Sequence, residues 1–70
     1  MKIKGKVRYI KLESGFWGIK SDDGVNYIPV IMPEQLKTEG RMVEVDAEPV
    51  PNMSGMHMWG EYVKITSFET

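Results

Sequence analysis

The 70-residue chain contains no cysteine, and this absence removes several classes of protein at once. Disulfide staples, thiolate metal ligands and cysteine nucleophiles are all excluded, so the hydrophobic core must hold the fold by itself. No apolar run approaches membrane-spanning length, and the alternately charged N-terminal segment does not resemble a secretion signal. We therefore expect a cytoplasmic protein with no membrane partner, although an exported domain trimmed of its signal would look the same.

The chain also has little excess charge of either sign. Nine basic and ten acidic side chains give a formal net charge of −1. Dedicated nucleic-acid binders are usually basic, because Lys and Arg displace the counterions that surround the phosphates. The overall charge therefore counts against a nucleic-acid ligand.

Helical periodicity is nearly absent, and short alternating runs rich in β-branched and aromatic residues take its place. The runs predict five strands, with Asp22-Asp23-Gly24 joining the second and third as a hairpin. Pro33 begins a single helical turn, which should bring Leu36 to one end of the core. The predicted strands cover residues 2–11, 16–20, 26–31, 42–50 and 56–66, the last kinked at Gly60.

Five short strands would leave reactive edges in an open sheet, so we expect them to close into a barrel. The predicted fold is all-β, with one domain over residues 1–70. It is a five-stranded antiparallel barrel of the OB type, with a single helical turn between strands three and four. The predicted core contains Val7, Trp17, Ile19, Ile28, Val30, Leu36, Val43, Val45, Val63 and Ile65.

Four segments resemble a cold-shock domain in their order and spacing: GKVRYI, SGFWGIKSDDG, YIPVIM and LKTEGRMVEV. The glycines, the DDG turn and the apolar positions carry this resemblance, which covers nearly the whole chain. It implies a barrel that binds single strands by stacking bases on exposed aromatic side chains, with basic residues along the phosphates. The segments are also similar to small uncharacterised bacterial OB-like domains, a likeness that implies a fold and no activity.

The residues that would bind a single strand match the cold-shock pattern only in part. Phe16 keeps the first outward aromatic position, but Gly18 stands where the second would lie, and Trp17 has inward parity. Tyr9 would reach the surface only through a bulge in the first strand. The expected partner is a weakly bound single-stranded RNA or DNA. The candidate nucleic-acid-binding residues are Tyr9, Phe16, Lys6, Arg8 and Lys20.

The basic side chains of the first strand have a nearer partner than any phosphate. The first and fourth strands of an OB barrel pair, which would set these side chains beside the carboxylates of strand four. Opposite charges across strands contribute about 0.2–1 kcal/mol per pair and cancel the local positive potential. We therefore expect a charge ladder that joins Lys4, Lys6 and Arg8 to Glu44, Asp46 and Glu48.

The segment MSGMHMWG holds a further set of candidate ligands. Its thioether and imidazole donors suit Cu(I) or Ag(I), but strand alternation separates the methionines from the other two side chains. The metal candidates are Met56, His57, Met58 and Trp59. We rank a soft-metal site third, behind base stacking and behind a protein-interaction or structural domain with an apolar surface around Ile31, Met32 and residues 53–58.

No set of residues points to catalysis. His57 has no serine or cysteine neighbour in the sequence, and Asp22 and Asp23 belong to a hairpin turn. No glycine-rich loop has the spacing and the lysine that cradle phosphates. We therefore expect a non-catalytic binding module that uses no cofactor.

Overall fold

Five strands close into a barrel in the computed structural model, which confirms the predicted OB-type architecture. The structure describes residues 1–12, 14–51 and 59–69. The strands are β1 (Lys2–Ile10), β2 (Phe16–Ser21), β3 (Asn26–Pro29), β4 (Met42–Pro49) and β5 (Glu61–Phe68). A 3₁₀ turn, Glu34–Leu36, lies between β3 and β4 as predicted. No helix within these residues is long and apolar enough to cross a membrane.

The barrel is not antiparallel throughout, because β3 and β5 run parallel. The strand order is β1-β2-β3-β5-β4, with β4 returning to pair with β1. A closed ring of five strands cannot alternate in direction at every seam, so at least one neighbouring pair must be parallel. The other described pairs are antiparallel. The parallel pair brings the starts of β3 and β5 to the same end of the barrel.

The last strand begins later and ends later than the sequence predicts. A turn at Trp59 and Gly60 precedes β5, which starts at Glu61 and continues past the predicted end at residue 66 to Phe68. Phe68 packs against the core, which explains the longer strand. Residues 56–58 of the predicted strand lie outside the described residues.

Most of the predicted core is confirmed. Trp17 and Ile65 are half-buried and pack against it. The prediction omitted Ile3, Tyr27 and Ala47, which belong to the core cluster. The predicted core residues that are buried are Val7, Ile19, Ile28, Leu36, Val43, Val45 and Val63.

The alternation predicted for β3 is out of step by one residue, and the inclusion of Val30 in the core is wrong. Tyr27 belongs to the core cluster, so Ile28 and Val30 have outward parity. Val30 is 37% exposed, whereas Ile28 is buried beside the half-buried Tyr62 of β5. The sequence misleads here because β3 is apolar on both faces.

The hairpin between β2 and β3 has the geometry that its sequence predicts. Gly24 has a φ of 89°, and the Asp23 carboxylate accepts a hydrogen bond of 3.0 Å from the Val25 N–H. This bond, together with one to Ser21, lowers the pKa of Asp23 below its ordinary value. Both aspartates are exposed turn residues, and Asp23 holds the backbone of the turn.

Replacing Leu36 with alanine tests whether the 3₁₀ turn closes the core. Because the Leu36 side chain is fully buried, its truncation should lower the free energy of unfolding by about 2–5 kcal/mol. Denaturant unfolding followed by circular dichroism would measure the loss. Leu12→Ala is the matched control, since Leu12 is largely exposed and should tolerate truncation. Equal losses in the two variants would contradict this role for Leu36.

Candidate nucleic-acid interface

The outer surfaces of β1 and β2 bring together four of the five predicted nucleic-acid-binding residues. The antiparallel register sets Lys6 directly opposite Lys20. Two residues along, Arg8 lies opposite Gly18, and Phe16 follows on the same side of β2. Residues opposite one another in an antiparallel pair project from the same side of the sheet. These five residues therefore share one surface, which we call the β1–β2 face.

Tyr9 lies on the other side of β1, away from the β1–β2 face. The pairing of β1 with β2 continues without a bulge from Gly5 to Ile10, so Tyr9 keeps the inward parity of Val7. Its ring packs edge-on against Trp17, with centroids 5.2 Å apart and planes inclined by 71°. Tyr9 is nevertheless 38% exposed, so it reaches the surface without the predicted bulge, but on the side of β1 away from Phe16.

Trp59, which the sequence analysis assigned to a metal site, lies on the β1–β2 face. Its half-buried ring contacts Gly18 so closely that a Cβ at residue 18 would collide with ring carbons Cζ3 and Cη2. The ring also meets Phe16 edge-on, with centroids 5.9 Å apart and planes inclined by 69°. Two aromatic rings are therefore in edge contact on this face, with their planes steeply inclined.

Gly18 is the sequence signal that could have located Trp59. Gly18 stands where the cold-shock pattern has a second aromatic side chain, so the sequence predicts Phe16 as the only outward ring of β2. A glycine inside a strand also marks positions where another group approaches the backbone closely. The second interpretation applies here, because the space above Gly18 is filled by a ring from a distant part of the chain.

Of the three basic residues predicted to lie beside β4 carboxylates, only Lys4 has one directly opposite it. Lys4 lies opposite Glu44, and Lys2 lies opposite Asp46. Lys2 also forms an ion pair of 3.2 Å with Glu44, and its hydrogen bond to that carboxylate raises the pKa of Lys2. The predicted partner Glu48 instead faces Lys64 of β5.

β4 starts too late to reach the end of β1, and the loop before it takes over the pairing. Lys6 is the last residue of β1 opposite β4, where its partner is Met42. Beyond it, the Val7 N–H donates to the Arg41 carbonyl at 2.8 Å and the Val7 carbonyl accepts from the Gly40 N–H at 2.7 Å. The predicted pairing of Lys6 and Arg8 with β4 carboxylates is therefore wrong.

Arg8 is paired with a loop carboxylate rather than with β4. Its Nε lies 2.8 Å from one oxygen of Glu39, and the other oxygen accepts a hydrogen bond of 3.0 Å from the Tyr9 N–H. Both partners are about half exposed, so the ion pair contributes little to stability. It does, however, cancel much of the charge that Arg8 would offer to a phosphate.

Lys6 and Lys20 contribute the remaining positive charges of the β1–β2 face. Within the described residues, neither lysine has a carboxylate within ion-pair distance. Lys6 is flanked by Met42 and Lys20, and Lys20 is flanked by Lys6 and Asn26. Like charges directly opposite one another destabilise a sheet, so this pair adds positive potential beside the two rings at some cost in stability.

The other predicted sites are largely outside the described residues. Of the soft-metal candidates, Met56, His57 and Met58 are not described, so that site stays a prediction. The residues that are described contain no cluster of three or more His, Cys, Asp or Glu side chains able to hold a metal ion. In the predicted apolar surface Ile31 is 79% exposed, whereas Met32 packs partly into the core, and residues 53–58 are not described.

Comparisons of the chain with protein-family models, curated proteins and solved structures each found no match. The chemistry of the β1–β2 face consists of two adjacent rings, one guanidinium held by a carboxylate, and two ammonium groups with no ion-pair partner in the described part of the chain.

Reversing the charge of Lys20 tests the like-charge pair. Lys20→Glu should raise the free energy of unfolding by about 0.2–1 kcal/mol, because it creates an opposite-charge pair with Lys6. Lys4→Glu is the matched control. It should lower stability, because residue 4 lies between Glu44 and Asp22, whose N–H donates to the Lys4 carbonyl, and a glutamate there would meet like charges. Urea unfolding at low and high salt would measure both effects, which salt should shrink. Changes of the same sign in both variants would contradict the arrangement.

Proposed function

We propose that this protein binds single-stranded nucleic acid on the β1–β2 face, by stacking bases on Phe16 and Trp59 and contacting phosphates with Lys6 and Lys20. The observation that carries the proposal is the juxtaposition of two partly exposed rings with a lysine pair that has no ion-pair partner among the described residues. Stacking on an aromatic side chain contributes about 1–3 kcal/mol per base and tolerates any base sequence. Ammonium groups beside such rings suit the phosphates that join the stacked bases.

The small number of contacts implies a short and weakly held ligand. Two rings hold about two bases, and two lysines neutralise about two phosphates. With about two phosphates neutralised, the slope of log affinity against log salt for a single strand should be near −1.4. Because the chain as a whole carries no positive excess, little non-specific attraction adds to this.

The fold supports the proposal by analogy only. OB barrels commonly bind oligonucleotides on the face formed by their second and third strands, which borders the β1–β2 face at β2. The same fold also hosts unrelated functions, so the side chains of the face carry more weight than the architecture. These side chains are rings and cations suited to binding, and we propose a binding module without catalysis.

The alternative, a protein-interaction domain, has one supporting observation. Ile31 is 79% exposed and the adjacent Val30 is 37% exposed, so an apolar pair faces solvent just after β3. Isolated apolar residues are normal at a surface, and a binding patch requires a larger contiguous area. A complex formed through these residues would survive the loss of Phe16 and Trp59, which separates the two functions.

Removing the rings tests the stacking contacts. Phe16→Ala and Trp59→Ala should each weaken binding of a labelled oligonucleotide of about 12 nucleotides by roughly 5- to 150-fold, the equivalent of one lost stack. Tyr9→Leu is the matched aromatic control and should leave affinity unchanged, because its ring packs against Trp17 on the side of β1 away from Phe16. Fluorescence anisotropy at low salt would measure all three. Absence of binding by the unaltered protein at low salt would eliminate the proposal.

Neutralising single lysines tests the phosphate contacts. Lys6→Gln and Lys20→Gln should each make the slope of log affinity against log salt shallower by about 0.7. Lys4→Gln removes a lysine from the same side of β1, but one that already faces Glu44, so its slope should stay unchanged. The same anisotropy titration repeated over a salt series would measure the slopes. A Lys4 variant that behaves like the other two would indicate general charge attraction instead of a site.

A further inference from the structure

Trp59 reaches the β1–β2 face from a turn, and three residues of the barrel surround it there. Gly18 leaves the space that the benzo edge of the ring fills. The Asn26 side-chain amide donates a hydrogen bond of 3.3 Å to the Trp59 carbonyl. Gly60 lies so close to β3 that a Cβ there would be 2.5 Å from the Asn26 carbonyl oxygen.

Backbone conformation does not explain the two glycines. The glycines with positive φ among the described residues are Gly15, Gly24 and Gly40, so Gly18 and Gly60 adopt backbone angles open to other residues. Glycine in a strand interior is unfavourable by roughly 0.5–1 kcal/mol relative to alanine, because it loses more conformational freedom on folding. What both positions lack is room for a Cβ, and both lie at contacts that bring Trp59 onto the face.

The position above Gly18 is where a second ring on the strand would stand. Residues 16 and 18 are neighbours on the same side of β2, about 7 Å apart along the strand. Phe16 supplies the first ring from β2 itself, and Trp59 supplies the second from outside β2. Trp59 precedes β5 and belongs to no strand ladder, so its orientation depends on these local contacts.

We infer that Gly18, Asn26 and Gly60 form a seat that positions Trp59 as a substitute for the stacking ring absent from residue 18. This inference rests on the proposed function for the role of the ring, whereas the seat itself can be measured without any ligand. The seat residues act through Trp59 and are positioning residues. Their loss should therefore weaken oligonucleotide binding although they supply no ring and no charge.

The seat can be tested first without nucleic acid, in a Trp17→Phe background that leaves Trp59 as the sole tryptophan. Gly18→Ala should displace the ring, which red-shifts its fluorescence and raises its acrylamide quenching. Asn26→Asp should act in the same direction, because a carboxylate cannot donate to the Trp59 carbonyl. Lys20→Gln, on the same strand and face, is the control and should leave the spectrum unchanged. Unchanged quenching in both seat variants would overturn the inference.

A ring exchange then tests whether Trp59 substitutes for a ring at residue 18. Trp59→Gly and Gly18→Phe should each weaken oligonucleotide binding, the first by removing the ring and the second by colliding with it. The double variant Gly18→Phe, Trp59→Gly should recover most of the lost affinity, because a ring again stands beside Phe16. A double variant as weak as Trp59→Gly would overturn the substitution.

The outcomes of these experiments distinguish a failure of the seat from a failure of the proposed function. If the unaltered protein binds no oligonucleotide, the stacking role of Trp59 is refuted, while the quenching measurements still decide whether the seat exists. If the double variant does not fold, the single Gly18→Ala variant decides by its affinity. That affinity should fall together with the rise in quenching, and a change in only one of the two properties would refute positioning through the ring.

Discussion

The pairing of β1 with β2 on one edge and with β4 on the other determines which side chains are neighbours on the outer surface of the barrel. Side chains alternate along a strand, so once the two registers of β1 are set, the neighbours of every second residue are set as well. They place Lys4 next to Glu44 and leave Lys6 between Met42 and Lys20. Two lysines of one strand, two residues apart, therefore occupy opposite electrostatic environments. The charge segregation that supports a binding face follows from register rather than from composition.

The sequence was sufficient to predict the architecture and most of the core because β1 and β4 alternate clearly. Val43, Val45 and Ala47 of β4 are buried between exposed carboxylates, and the β2–β3 hairpin follows from its Asp-Gly chemistry. Alternation fails as a signal in β3, where Tyr27 and Ile28 are both buried on opposite sides. The direction of β3 relative to β5 was also missed, although a closed ring with an odd number of strands requires a parallel seam.

Only those residues of the binding face whose orientation follows from alternation along one strand could be predicted from the sequence. Phe16 was correctly given outward parity, and Lys6 and Lys20 follow from the same rule. The loss of the predicted ion pairs depends on the loop around Gly40, whose backbone replaces β4 at Val7, and strand periodicity contains no information about that loop. The position of Trp59 depends on a contact between distant segments, so a local pattern could indicate only that something approaches Gly18.

Because β3 and β5 run parallel, the number of residues between Trp59 and β5 affects where the indole lies. Parallel strands begin at the same end, so the residues that lead into β5 arrive next to the first residues of β3. The parallel pairing thereby brings Trp59 near the start of β3, and the contacts with Gly18, Asn26 and Gly60 hold its side chain on the outer surface. Only Gly60 separates Trp59 from the start of β5, so the position of that strand limits how far the indole can lie from β3. The place of the indole on the outer surface therefore depends on the spacing between Trp59 and β5 as well as on the identity of residue 59.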